Sequence, residues 1–330
     1  MAIQLTSSGG LSGQFQKFFN PTLLDHQVDI LKLNQYSIKA DFPKNKGAKV
    51  MTFVRQDVGA SSNVNTLSEG TVPTTYRDTT LTFIDATLVQ YYELGRYSDL
   101  LQWTEIYNIL KIQTQQFGED AGLKADDISL TAIIPNVSGT SKRYSGGATS
   151  FATLAALPSN AAGALTVQDM LDAFTQLADQ KAPTFKGDYI FLVSPRTQRD
   201  IMNDSKWILP GQYGTNQGFF KGEIGMLYGM RAATTTNAWF EDGTGANENT
   251  RASSHSTKDV YANLALGRGA FGTPVLGGQS PFDPSIIVIN KPDHSNPLNQ
   301  YTTMGWKACW ASVLLNNSFV CIVRSRSGFA

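Results

Sequence analysis

The chain has 330 residues, with 27 Lys and Arg against 27 Asp and Glu, so its formal charge is zero and nucleic-acid binding driven by net charge is excluded. Its 41% hydrophobic residues are enough to fill a sizeable core, which excludes wholesale disorder; no apolar run reaches the ~20 residues of a membrane span, and Met1 to Ser8 lacks a signal-peptide pattern, so a cytoplasmic product of roughly two domains is expected. Charged residues make up only 16%, against about 25% in typical soluble domains, so less surface than usual is built for free water, which points toward assembly.

Residues 1 to about 46 contain Gly9-Gly10, Gly13, Asn20-Pro21 and Phe42-Pro43 with only short apolar clusters between them. This reads as an arm and not as core. Lys39, Lys44, Lys46 and Lys49 form a small basic cluster. A solvated face is the plain reading, and contact with a nucleic acid or an acidic neighbour the alternative. Lys49 to Arg55 alternates, and a second β-rich run spans Thr79 to Tyr91, so the two are expected to pair as one hairpin. Their connection, Asp57 to Tyr76, far exceeds the about 2 to 5 residues usual for a hairpin and offers no core of its own. A long polar hairpin that cannot stabilise itself is explained if it lies across another subunit.

Ser98 or Asp99 is placed to cap a long helix over about 99 to 134, with Trp103, Ile106, Leu110, Phe117, Ala121 and Ile128 at helical spacing. Pro135 and Ser138-Gly139 end it, and a Gly/Ala/Ser-rich stretch follows. Thr166 then caps a second helix whose apolar face is Met170, Leu171, Phe174, Leu177 and Ala178. Tyr189 to Val193 is a continuous apolar run, closed by Ser194-Pro195 and followed by a helix to Asn203. This predicts a helix–strand–helix unit around a buried strand. Further strands are expected at Gly229 to Thr235, Val260 to Leu266 and Ile286 to Ile289, with polar Glu241 to Lys258 as an exposed loop. Gly305 to Leu315, an Asn316-Asn317 turn and Phe319 to Arg324 read as a terminal hairpin.

Little of this carries chemistry. Gly267-Arg268-Gly269-Ala270-Phe271-Gly272 has nucleotide-loop spacing, but Thr273-Pro274 after it is a poor helix start, so a glycine-rich strand end is expected and no cofactor. His26, His255 and His294 have no second ligand at metal-site spacing and read as surface residues. Asp126-Asp127 and Glu119-Asp120 diverge by about 100° on a helix and look like a solvated face. Trp306 and Trp310 share one side of a strand, where burial is commoner than base stacking. Two cysteines, Cys309 and Cys321, make neither a disulfide framework nor a zinc cluster, and apolar neighbours leave both unactivated.

Leu67-Ser68-Glu69-Gly70-Thr71-Val72-Pro73, the segment Gln90 to Tyr97 and the long helix after it resemble the major capsid proteins of tailed phages with the Hong Kong 97-like fold. Tyr189 to Pro195 with Asp200-Ile201, Gly222 to Gly225 with Gly229 to Arg231, Val260 to Leu264, and Gly305-Trp306-Lys307 continue the likeness in order. The resemblance implies an α+β fold of five parts. These are an N-terminal arm (1–46), an extended β-hairpin loop (47–97), a peripheral domain with a long spine helix (98–165), an α/β axial domain (166–299), and a C-terminal hairpin returning to the peripheral domain (300–330). It implies a non-enzymatic subunit that assembles with itself into hexamers and pentamers of an icosahedral shell. No cofactor or membrane is involved. A separate scaffolding protein, a portal, non-specifically contacted double-stranded DNA and assembly in the host bacterial cytoplasm are implied with it. Leu67, Glu69, Gly70, Val72, Pro73, Arg77 and Arg96 become candidate interface residues, with Arg55, Arg77 and Arg96 as possible partners of Glu69 across a contact. The rivals are a cellular nanocompartment shell of the same fold and a soluble α/β enzyme using the 267–272 segment.

Overall fold

The computed structural model describes the chain except residues 1–32, 43–48, 57–64, 77–79, 105–108, 208–225, 245–247, 277–284 and 293–295 and positions 68, 75, 257, 291 and 330. The predicted alternation at Lys49 to Arg55 becomes strand β2 (Val50–Gln56), antiparallel to β3 (Leu81–Thr87), with Val54 opposite Phe83. Before it, β1 (Ile38–Phe42) runs parallel to a later strand and Leu33 is buried in the core. The arm reading therefore fails for 33–42, because backbone pairing is not visible in a polar sequence. The second β-rich run divides at Leu88: β4 (Val89–Ser98) leaves the hairpin and enters another sheet.

The long helix is present as α1 (Asp99–Thr104) and α2 (Ile109–Ile133), with 105–108 outside the described residues. Phe117, Ala121, Ala125, Ser129, Leu130 and Ile133 form its buried stripe. Trp103 departs from the expectation, being 79% exposed. Asp126 departs the other way: it is buried and accepts a 2.9 Å hydrogen bond from Asn34 Nδ2, so it is no part of a solvated face. The Gly/Ala/Ser-rich stretch holds β5 (Lys142–Tyr144) and a short α3 (Phe151–Ala155), elements too short for periodicity to reveal.

Thr166 caps α4 (Val167–Asp179) reciprocally: its Oγ1 accepts from Asp169 N, and Asp169 Oδ2 accepts from Thr166 N at 2.9 Å. Its buried face includes Ala173 and Gln176, while Ala178 is exposed. The apolar run is β6 (Tyr189–Val193), buried throughout, and Ser194 caps α5 (Pro195–Met202) behind it. β7 (Met226–Leu227), β8 (Met230–Thr234), β9 (Trp239–Asp242), β10 (Asp259–Leu266) and β11 (Phe271–Leu276) follow, then β12 (Ser285–Ile289), β13 (Tyr301–Trp310), β14 (Val313–Leu314) and β15 (Val320–Ser325).

A seven-stranded mixed sheet runs β5-β15-β10-β6-β8-β7, with β9 on β10; a three-stranded sheet runs β12-β13-β4 and another β1-β11-β14; β2 and β3 stand as a pair. The expected terminal hairpin is thus absent: β13 pairs with β12 and β4, whereas β15 pairs with β10 and β5. Apolar alternation on both sides of a turn cannot distinguish partners next door from partners far along the chain. Behind the large sheet, α4 packs Met170, Ala173 and Leu177 against Phe191, Val193, Cys321 and Val323. Trp306, Met304 and Ala308 of β13 pack against Phe117 and Ala121 of α2, and Trp310 is fully buried.

Glu241, expected in an exposed loop, is fully buried on β9. Arg324 of β15, equally buried, grips both its carboxylate oxygens, with Nε and Nη2 each donating at 3.0 Å. Lys142 Nζ lies 2.8 Å and Arg324 Nη1 3.2 Å from Glu248 Oε1, and Asn249 Oδ1 accepts from Arg324 at 2.8 Å. This network ties β5, β9, β15 and the 248–249 turn into one block.

Candidate assembly surface

A strand with apolar residues at both parities has something to bury on both faces. In β2 and β3 one face carries Met51, Phe53 and Arg55 with Ile84 and Ala86, and it turns inward. Phe53 lies so close to Gly272 that a Cβ there would sit 3.0 Å from its ring, and Arg55 Nη1 donates to the Leu315 carbonyl at 2.9 Å. The opposite face presents Val50, Val54, Leu81 and Phe83 to solvent, Phe83 at 65% exposure. A polar hairpin would be soluble like this; one with a cross-strand Val54–Phe83 pair on its free side is not finished.

The described part of the 65–76 loop continues the pattern. Leu67 and Val72 are 76% and 79% exposed, Pro73 and Glu69 are exposed, and Gly70 takes φ +75°, a left-handed turn that glycine supplies without strain. Among the described residues Glu69 has no ion-pair partner. The five loop residues named from sequence therefore share one exposed segment. Arg77 lies outside the described residues. Arg96 stands elsewhere, on β4, with its guanidinium 4.8 Å above the Tyr301 ring, and Arg55 is engaged with its own chain. Arg96 and Glu69 thus stand on separate elements, β4 and the 65–76 loop.

Residues that sequence reading passed over extend the surface. On the face of the three-stranded sheet turned away from α2, Leu94 lies opposite Gly305, and Gly305 opposite Ile287. Tyr92 and Ile289 flank them on the same face, and α1 adds Trp103. Gly305 is needed there: a Cβ would stand 2.6 Å from the Glu93 carbonyl and 2.8 Å from Leu94 Cδ1. The signal available in the sequence was apolar residues in excess of what one-sided strands require.

Among the described residues no group of three or more His, Cys, Asp or Glu side chains is placed to hold a metal ion. In the 267–272 segment residues 267–270 form the turn between β10 and β11, and Phe271 and Gly272 already begin the strand β11, so no helix follows it. Burial pushes the Cys321 thiol up to about 12, far from the thiolate a nucleophile needs. His255 stacks on Phe240, ring centroids 4.2 Å apart, with Nδ1 2.6 Å from Asp259 Oδ2. His26 and His294 lie outside the described residues.

A family model described as phage capsid protein matches residues 89–281, more than half of the chain. The chain belongs to the phage capsid protein family. Solved structures of similar fold cover nearly all of it at low identity. The capsid structure of cyanophage P-SCSP1u aligns at TM-score 0.68 and 14% identity over 99% of this chain and 97% of that one. The cyanophage Pam1 capsid aligns at 0.68 and 11% over 100% of both. The acidic stable capsid of Helicobacter pylori bacteriophage KHP30 aligns at 0.69 and 8% over 99% of both. No functionally curated protein matches the chain. Family and fold together make this a major capsid protein with the Hong Kong 97-like fold, a structural component of a virion.

Proposed function

We propose that this capsid protein assembles with itself into hexamers and pentamers that close an icosahedral shell around double-stranded DNA, without enzymatic activity. The observation that carries this reading is the hairpin: β2–β3 and the 65–76 loop expose an apolar face with no covering element of their own chain among the described residues. In the shell the hairpin part of the expected 47–97 loop, β2, β3 and the residues between them, lies across the neighbouring subunit, and Leu67, Glu69, Gly70, Val72, Pro73 and Arg77 on it, with Arg96 on β4, belong to subunit contacts. The residues before Leu33 act as the arm, α1 and α2 with the β12-β13-β4 sheet carry the peripheral spine, and the seven-stranded sheet with α4 forms the axial unit. The last strands divide, β13 with the three-stranded sheet and β15 with the seven-stranded one. A separate scaffolding protein and a portal serve assembly in the bacterial cytoplasm, and DNA is enclosed without sequence preference.

Electron microscopy and native mass measurement of the expressed chain, alone and with a co-expressed scaffold, test this. Hexamers, sheets, tubes or megadalton shells are expected, and particles from infected cells should contain DNA. A monodisperse monomer under every such condition rejects assembly, and particles filled with protein cargo instead of DNA reject the phage shell in favour of a compartment.

A further inference from the structure

At the edge where β6 and β8 of the seven-stranded sheet meet the turns before β1, before β6 and after β10 lies an open cleft of about 600 Å³. Tyr36, Phe185 and Ile190 line it together with Lys186, Arg231 and Arg268. Tyr36 and Phe185 pack edge to face, centroids 5.5 Å apart. Three cations thus surround an aromatic and aliphatic floor, in a chain whose net charge is zero. Arg231 alone is paired, Nη2 lying 3.1 Å from Asp188 Oδ2. Among the described residues Lys186 and Arg268 have no carboxylate partner.

Lys186 is held in an unusual way. Phe185 and Asp188 exchange backbone hydrogen bonds at 2.7 and 3.2 Å, closing a two-residue turn in which Lys186 has φ +54° and Gly187 φ +107°. Asn-Gly is the ordinary sequence for such a turn, and a lysine is disfavoured there. Arg268 is fixed from the other side, its backbone N donating to the Pro183 carbonyl at 2.7 Å.

We infer that this cleft binds an acidic peptide segment of another protein, with an apolar or aromatic side chain on the Tyr36–Phe185–Ile190 floor and carboxylates on Lys186 and Arg268. Charge complementarity selects the anion, and the floor selects what carries it. Duplex DNA would offer phosphates to the rim and leave the floor uncovered. The chain's own 65–76 loop has one carboxylate, Glu69, and does not match two unpaired cations. Shell assembly is not a premise, so the inference and the assembly reading fail separately.

Fluorescence anisotropy on the purified full-length chain tests it, with a labelled Glu-Leu-Glu-Phe-Glu peptide as the probe. Binding is expected, about tenfold tighter than for Gln-Leu-Gln-Phe-Gln. Lys186→Asn combined with Arg268→Gln should weaken it about tenfold with unchanged thermal unfolding, since both side chains are exposed and Asn suits the turn. Asp188→Asn, which removes the competing carboxylate, should tighten it roughly threefold. Absent binding, equal binding of the uncharged peptide, or indifference to these substitutions overturns the inference. So does loss of duplex DNA binding in the double variant without loss of peptide, and so does tighter binding of a peptide copied from residues 64–76, which would make a second copy the occupant.

Discussion

Arg324 and Glu241 show how a single pair organises the seven-stranded sheet. Both side chains are fully out of solvent, with their charges matched by each other, by the Trp239 Nε1 bond to Glu241 at 3.1 Å and by Asn249. A buried pair is costly to make and costlier to break, because removing one member leaves the other charged and dry. Glu241→Ala should therefore lower subunit stability by roughly 3 to 5 kcal/mol in chemical denaturation; a loss under about 1 kcal/mol would mean that water reaches Arg324. At Glu248, burial works to raise the carboxyl pKa, but the Lys142 hydrogen bond and the charges of Arg324 and Lys142 outweigh it and hold the pKa below the ordinary carboxylate value. A depressed folded-state pKa gives stability that is present above the unfolded-state value and lost as pH falls through the folded one. The same denaturation series should then show stability declining below about pH 4, and Glu248→Gln should flatten that decline. None of this was legible in Glu241 to Lys258, which reads as a polar loop. The partner that makes Glu241 a core residue lies 83 positions away in sequence, and local composition holds no trace of it.

At the scale of elements, the strands whose pattern was self-sufficient were legible and those defined by distant partners were not. The β2–β3 pair, the Thr166 and Ser194 caps and the buried β6 follow from alternation, capping chemistry and a continuous apolar run. Pairing of β1 with β11 and of β15 with β10 depends on which edge is free after everything else has packed. The 65–76 loop belongs with the first kind. Its polar, glycine-containing sequence implied exposure, and the described residues are exposed throughout with no strand pairing. Ordering such a backbone costs about 1 to 2 kcal/mol per residue, and no intrasubunit burial offsets it. Limited proteolysis should accordingly cut unassembled subunits between 57 and 76 and spare assembled particles. Cutting at equal rates in both states would show that no neighbour covers the loop.

At the scale of the whole molecule, the apolar side chains left in water are distributed over the hairpin, the outer face of the three-stranded sheet and α1, not gathered into one pocket. A monomer gains nothing from this arrangement, whereas a subunit in contact with neighbours on several sides uses each region. The low charge content acts in the same direction, since fewer ions need be desolvated when surfaces meet. Phe83 tests the argument most directly. Its ring is mostly exposed on the side of the hairpin turned away from its own core, so Phe83→Ala should change the unfolding free energy of the isolated subunit by no more than about 0.5 kcal/mol. In the assembled state, a covered Phe contributes roughly 1.5 to 3 kcal/mol per contact, repeated at every equivalent interface. Phe83→Ala should therefore lower particle yield, or lower the denaturant concentration at which particles dissociate, while subunits remain folded. Glu69→Ala provides the polar comparison. A partly desolvated charge pair across the interface would lose about 2 to 5 kcal/mol on truncation, and a solvated loop tip under about 1 kcal/mol. Weakened particles from Phe83→Ala alone would make the contact apolar, with Glu69 solvated at its edge. Weakening from both would place an arginine or lysine of the neighbour against Glu69. Normal yield and resistance in both variants would show that this face of the hairpin stays in water in the shell.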